Sequence, residues 1–121
     1  MPLVTTEKML CNAQKHHYAI GAFNVENMEM AQAVIAAAEE LQAPVILQTT
    51  PSTINYASLP LYFANIATLA RESCVPVAIH LDHGNSFSLC ARALRAGYTS
   101  VMIDGSKLPL EENIALTKQV A

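Results

Sequence analysis

Asp82 and His83 stand side by side at the end of the run Val77-Ala78-Ile79-His80-Leu81-Asp82-His83-Gly84. Val77, Ile79 and Leu81 alternate with Ala78, His80 and Asp82, the pattern of a strand with one apolar face and one that turns polar toward its end. A neutral imidazole is a common zinc ligand, and a carboxylate beside a metal stays ionised and can take up and return a proton. A metal next to such an acid/base group suits reactions through an enolate, because the cation polarises a carbonyl and carries the developing negative charge. A Ser-His-Asp reading is weaker, since Ser86 and Ser88 lack a nucleophile-elbow context.

Those two residues must be positioned by a larger frame, and the chain supplies one. Thr5 or Thr6 can cap a first helix through about Lys15, followed by His16 and His17, which read as a solvated pair at the negative end of the helix dipole. Ala19 to Phe23 forms a strand ending at Asn24. Asn27 caps a helix that Pro44 ends, and Val45 to Gln48 is the next strand, closed by the breaker cluster Thr49-Thr50-Pro51-Ser52. Pro60 opens another helix, and the Val77 strand follows. Asn85 or Ser86 caps the next helix, Gly97 ends it, and Ser100 to Ile103 is a fourth strand leading to Asp104. A last helix starts near Pro109 and carries Glu111 and Glu112 in its first turn.

Strand and helix thus alternate four times, which specifies parallel strands joined by helical crossovers. An open doubly wound sheet would place a Gly-rich phosphate loop after the first strand, where Gly21 stands alone. The other solution is a TIM (β/α)8 barrel. A full barrel takes about 250 residues, so 121 residues correspond to a half-barrel, one domain spanning residues 1–121. The last helical pattern runs to Ala121 without a stop signal, so the chain is expected to be cut rather than finished.

Carrying period-two parity along each strand puts one polar residue per strand at the C-terminal mouth: Asn24, Thr50, Asp82 and Asp104, with His83 beside Asp82. His80 faces the same way one layer deeper and reads as a hydrogen-bonded interior histidine. The composition bounds the partners. A content of 52% apolar residues belongs to a well-buried globular chain, and a net charge of −3 without a basic run argues against nucleic acid or anionic lipid. The longest apolar run is too short for a membrane span. Cys11, Cys74 and Cys90 are odd in number and widely spaced, which favours reduced thiols in a cytoplasm; all three read as packing residues.

At these residues the chain resembles the class II, zinc-dependent ketose-bisphosphate aldolases. The resemblance is carried by Met1-Pro2-Leu3-Val4, Tyr18 to Asn24, Ala43-Pro44-Val45-Ile46, Val77 to Gly84, Ala96 to Asp104 and Glu112-Asn113-Ile114, with His80-Leu81-Asp82-His83 and Ser100-Val101-Met102-Ile103-Asp104 the specific blocks. It implies a TIM barrel that reversibly cleaves fructose 1,6-bisphosphate into dihydroxyacetone phosphate and glyceraldehyde 3-phosphate. It also implies a homo-oligomer. His83 matches the first zinc-ligating histidine, Asp82 the acid/base at the C4 hydroxyl, Asn24 and Thr50 the substrate-contacting polar residues, and Asp104 a carboxylate associated with an additional cation. The family's other two zinc histidines and its phosphate-binding loops have no counterpart in these 121 residues, and Lys107 stands where relatives usually carry a histidine. The alternatives are a truncated non-catalytic fragment, or a sister aldolase acting on tagatose 1,6-bisphosphate or a deoxy-gluconate phosphate.

Overall fold

Apolar residues at every second strand position need a covering layer, and the helices between the strands supply it. A computed structural model describes residues 3–121. Its elements run α1 (Thr6–His16), β1 (Gly21–Asn24), α2 (Met28–Glu40), β2 (Val45–Thr49), α3 (Pro51–Tyr56), α4 (Leu59–Glu72), β3 (Val77–Gly84), α5 (Phe87–Ala96), β4 (Ser100–Ile103) and α6 (Leu110–Val120). The four strands form one parallel sheet in the order β1-β2-β3-β4. A doubly wound sheet reverses its order at a switch point, and no reversal occurs among these strands. The order is that of consecutive barrel strands.

The register divides the sheet into two unlike faces. Leu47 lies opposite Ile79, and Val45, Leu47, Val77, Ile79 and Leu81 are buried beneath the helices with Ala31, Ile35, Ile66, Ala67 and Ala93. The valine, leucine and isoleucine side chains among them contribute about 1.5–3 kcal/mol each on full burial. The opposite face carries Ile46 and Ala78 near the strand starts and Gln48, His80 and Asp82 near the ends. Met9 of α1 packs on Ile46 and Ala78 in a second apolar cluster, and Val4 donates its N–H to the Val77 carbonyl at 2.9 Å, so the N-terminal segment closes the end of this face opposite the polar residues.

Most helix boundaries follow from capping chemistry. Asn27, Ser58 and Ser86 accept backbone N–H bonds from Met30, Leu61 and Leu89 at 2.9, 3.3 and 3.1 Å. Gly97 ends α5 with φ +111°, a conformation open to glycine. Thr5 is the N-cap of α1 without a side-chain cap bond.

Three local readings need correction. The cluster Thr49 to Ser52 does not simply break the chain: Thr50 is the N-cap of α3, Pro51 occupies its first turn, and burial of Thr53 and Ile54 holds the turn in place. Threonine followed by proline serves a helix start as well as a loop. The first strand begins at Gly21 rather than Ala19. Of the three cysteines, only Cys90 packs in the core; Cys11 and Cys74 are exposed.

A buried hydroxyl pair ties the second strand to the turn after α5. Thr49 Oγ1 and the Tyr98 hydroxyl lie 2.8 Å apart, both residues buried, and burial pushes the Tyr98 phenol up to about 12. Tyr98→Phe leaves Thr49 without its partner and is expected to cost about 1–2 kcal/mol. Urea unfolding followed by circular dichroism measures it, and an unchanged midpoint would show that the pair contributes nothing.

Candidate active site

All the polar residues in question lie at the C-terminal ends of the strands, where a barrel keeps its chemistry. Two of them could not share that mouth if β3 were regular, because successive side chains alternate between faces. Leu81 pairs with Val101 but Gly84 pairs with Ile103, so Asp82 and His83 together oppose Met102 alone. This is a β-bulge, and His83 sits in it with φ +52°. The extra residue turns the imidazole to the same side as the carboxylate. Gly84 then resumes the outward face, where an added Cβ would lie 2.8 Å from the Met102 carbonyl oxygen and 2.8 Å from Cys90 Sγ. Its own carbonyl accepts the Asp104 N–H at 2.8 Å, which fixes the start of the loop carrying Asp104.

The side chains connect into one line across the mouth. Gln48 Nε2 donates to Asn24 Oδ1 at 2.6 Å and to Asp82 Oδ2 at 3.0 Å. Asp82 Oδ1 faces His83 Nε2 at 3.8 Å. His83 Nδ1 meets Asp104 Oδ2 at 2.7 Å, and Asp104 Oδ1 accepts the Ser106 N–H at 3.0 Å. Asn24, Asp82, His83 and Asp104 are therefore brought together. Thr50 stands at the same end, but its hydroxyl is engaged with Ser52, Thr53 and the start of α3.

Gln48 is the residue that sequence reasoning passed over. It is the penultimate residue of β2, one alternation before Thr50, and parity places it on the polar face with Asn24 and Asp82. The same parity that points to Thr50 points to Gln48, two residues earlier on the same face. His80 matches its expected part: it is half-buried, with Nδ1 2.7 Å from Ser100 Oγ.

The electrostatics follow from these contacts. The hydrogen bond to Asp104, helped by the Asp82 charge, raises His83 above the ordinary imidazole value. Hydrogen bonds from Ser106 and His83 hold Asp104 well below the usual carboxylate range. Burial lowers His80, opposed by the Asp82 charge. Among the described residues no group of three or more His, Cys, Asp or Glu side chains could hold a metal ion. The donor chemistry nevertheless suits a single zinc ligand: an exposed imidazole whose Nδ1 rests on a carboxylate presents Nε2 outward, the usual support for a metal-bound histidine.

An α/β chain with consecutive parallel strands, and with its polar constellation at their C-terminal ends, defines the class: a segment of a TIM-barrel-type enzyme. The family model for class-II fructose-bisphosphate aldolase matches residues 4–121, and the chain belongs to that family. It is 45% identical to a 6-phospho-5-dehydro-2-deoxy-D-gluconate aldolase of Halalkalibacterium halodurans, an alignment that covers 99% of this chain and 43% of that protein. A fructose-bisphosphate aldolase of Staphylococcus aureus is 44% identical, again over 99% of this chain and 43% of the relative. Among solved structures, the YdjI aldolase from Escherichia coli K12 superposes with a TM-score of 0.93 at 37% identity, over 98% of this chain and 46% of that one. The chain thus spans less than half the length of the relatives it matches.

Two measurements check the geometry. In an NMR pH titration of the histidine rings, His83 is expected to titrate above 6.5 and to fall toward it in Asp104→Asn, whereas His80 titrates below 6.5. The signs for stability are opposite. The His83 contribution is complete below pH 6.5 and is lost as pH rises through its raised value; that of His80 is complete above pH 6.5 and is lost as pH falls through its lowered value. Gly84→Ala is expected to destabilise the chain by about 1–3 kcal/mol, because its Cβ meets a backbone carbonyl. A neutral thermal melt would contradict the tight approach of β4.

Proposed function

We propose that this chain supplies the acid/base half of a zinc-dependent class II aldolase that reversibly cleaves fructose 1,6-bisphosphate into dihydroxyacetone phosphate and glyceraldehyde 3-phosphate, residues 1–121 forming the N-terminal half of its single barrel domain. The observation that carries this reading is the bulge at Asp82–His83, which sets a carboxylate and an imidazole on one side of the same mouth. Zinc, when bound, polarises the ketose carbonyl and carries the negative charge that develops during cleavage. His83 Nε2 is one ligand; a catalytic shell ordinarily has three from protein, so the others come from outside these residues.

The remaining chemistry belongs to the chain itself. Asp82 takes the proton from the C4 hydroxyl as the C3–C4 bond breaks, and returns it in condensation. Gln48 holds Oδ2 of that carboxylate, which leaves Oδ1 for the proton. Asn24 and Thr50 contact the sugar phosphate. Asp104 is the carboxylate near an additional cation, while its Oδ2 meets His83 Nδ1 and its Oδ1 accepts the Ser106 N–H. The same contact lets it orient the imidazole ring. The whole protein acts as a homo-oligomer in the cytoplasm, a setting that suits three unpaired thiols.

A second reading concerns the substrate alone. A relative named for a deoxy-gluconate phosphate and one named for fructose bisphosphate are almost equally similar, so a deoxy-gluconate phosphate is the competing substrate; tagatose 1,6-bisphosphate is a third. All share the aldol bond and the same demand on Asp82 and His83.

In a complete barrel carrying these residues, Asp82→Ala is expected to lower cleavage by about 10²–10⁴-fold with zinc retained. His83→Ala is expected to lose zinc and activity together. Turnover measured beside elemental analysis separates the two roles. Cleavage by Asp82→Ala within tenfold of wild type, or full zinc retention by His83→Ala, would overturn the assignment. The 121-residue chain alone is expected to show no chelator-sensitive cleavage, since one imidazole does not make a catalytic zinc site.

A further inference from the structure

A chain of hydroxyls joins the loops after β1 and β2 and ends on Glu26, a carboxylate with no part in the line from Asn24 to Asp104. Thr53 Oγ1, in a residue 1% exposed, donates to Glu26 Oε1 at 2.9 Å. Thr50 Oγ1 lies 3.1 Å from Thr53 Oγ1 and 3.0 Å from Ser52 Oγ. The Glu26 carbonyl accepts the Tyr62 hydroxyl at 2.9 Å, and Tyr62 is buried in α4, so the core fixes the loop that carries the carboxylate.

The direction of the hydrogens follows by counting. An ionised carboxylate has none to give, and a hydroxyl has one. The Thr53 hydrogen lies on the Glu26 side, so only the Thr50 hydrogen can stand between Thr50 and Thr53. Ser52 then donates to Thr50. All three hydroxyls point toward Glu26, and Thr50 turns its hydrogen inward. The Thr53 N–H is distant from Thr50 Oγ1 at 3.5 Å, which leaves a lone pair open. Half-buried at the mouth, Thr50 meets a substrate as an acceptor.

Strand order says which part of a substrate that is, a step that rests on the aldolase reading above. His83, held by Asp104 on the β4 side, belongs with the ketose carbonyl; Asp82 belongs with the hydroxyl of the carbon released as aldehyde; β2 comes next, on the side away from β4. The following carbon of the sugar therefore lies toward Thr50. We propose that Thr50 accepts a hydrogen bond from the hydroxyl of that carbon, C5 of fructose 1,6-bisphosphate, and that Glu26 is the positioning residue that makes Thr50 an acceptor, acting through Thr53. The contact separates the competing substrates. In 6-phospho-5-dehydro-2-deoxy-D-gluconate, aldol cleavage from the C5 carbonyl breaks C4–C3, and the carbon beyond is the deoxy C2, which has no hydroxyl to offer. The arrangement favours a ketose bisphosphate, because a polar group placed for a substrate hydroxyl discriminates against the analogue that lacks it.

In a complete barrel carrying these residues, fructose 1,6-bisphosphate is compared with its 5-deoxy analogue and its 5-deoxy-5-fluoro analogue, whose fluorine accepts weakly and donates nothing. The unsubstituted enzyme is expected to lose about three- to tenfold in kcat/KM on both analogues, chiefly through KM. Thr50→Ala is expected to treat the 5-hydroxy and 5-deoxy substrates alike. Glu26→Ala and Thr53→Val each release the Thr50 hydrogen toward the mouth, and each is expected to recover activity on the fluoro analogue but not on the deoxy one. Glu26 is exposed, so its variants keep the test open should Thr53→Val fail to fold. Glu26→Gln, whose Oε1 still accepts, is expected to keep the wild-type pattern. In the 121-residue chain, with no substrate, the buried Thr53 hydroxyl proton is expected as a downfield NMR resonance that moves upfield in Glu26→Ala. Equal turnover of the 5-hydroxy and 5-deoxy substrates, or cleavage confined to the deoxy-gluconate phosphate, would overturn the Thr50 contact and leave the aldolase reading intact. Fluoro discrimination unchanged in Glu26→Ala, or a Thr53 hydroxyl proton indifferent to it, would overturn the part given to Glu26. Cleavage of none of the sugar phosphates would overturn the aldolase reading itself, and the Thr50 contact with it.

Discussion

One surplus residue in β3 governs the candidate site. A regular strand would send Asp82 to one face and His83 to the other, into the layer beneath α5. The bulge prevents this by giving Asp82 and His83 a single partner residue, with His83 in the left-handed region. For a residue with a Cβ that conformation is costly, of order 1–3 kcal/mol, and it persists only where its surroundings fix it. Here they do so from two sides: the Gly84 carbonyl holds the Asp104 N–H, and the Asp104 carboxylate holds the His83 ring.

The two faces of the sheet divide the labour. The outward face is closed by apolar side chains against α2, α4 and α5, and it holds the strands rigidly enough to set groups at their ends. The inner face is apolar only where α1 covers it and becomes polar toward the mouth, where hydrogen bonds rather than packing fix each side chain. Among the described residues every buried side-chain nitrogen and oxygen has a partner. A polar network in that state specifies one arrangement, because any displacement leaves a desolvated group unpaired.

The sequence made the alternation, the caps at Asn27 and Ser86 and the stop at Gly97 legible because each rests on local chemistry spanning a few residues. The polar end of the sheet was legible for the same reason: parity along four strands leads to Asn24, Thr50, Asp82 and Asp104. What stayed hidden depends on pairing between strands. A bulge is a mismatch between two segments, and nothing within Val77 to Gly84 reveals where β4 slips past it. Gln48 was hidden differently, since its importance lies in reaching two neighbours at once from adjacent strands. The exposure of Cys11 and Cys74 shows the converse error, as residue type alone says nothing about which side of a helix or turn meets the core.

How the His83 ring is held decides which group it presents to the mouth. Long-range ¹⁵N–¹H correlation of the imidazole nitrogens, recorded on the metal-free chain above the pH at which His83 titrates, reads the tautomer directly. The neutral ring is predicted to carry its proton on Nδ1, donated to Asp104, leaving Nε2 bare and facing the mouth. A proton on Nε2, the form that would point a hydrogen rather than a lone pair into the site, would contradict both the Asp104 contact and the part assigned to His83.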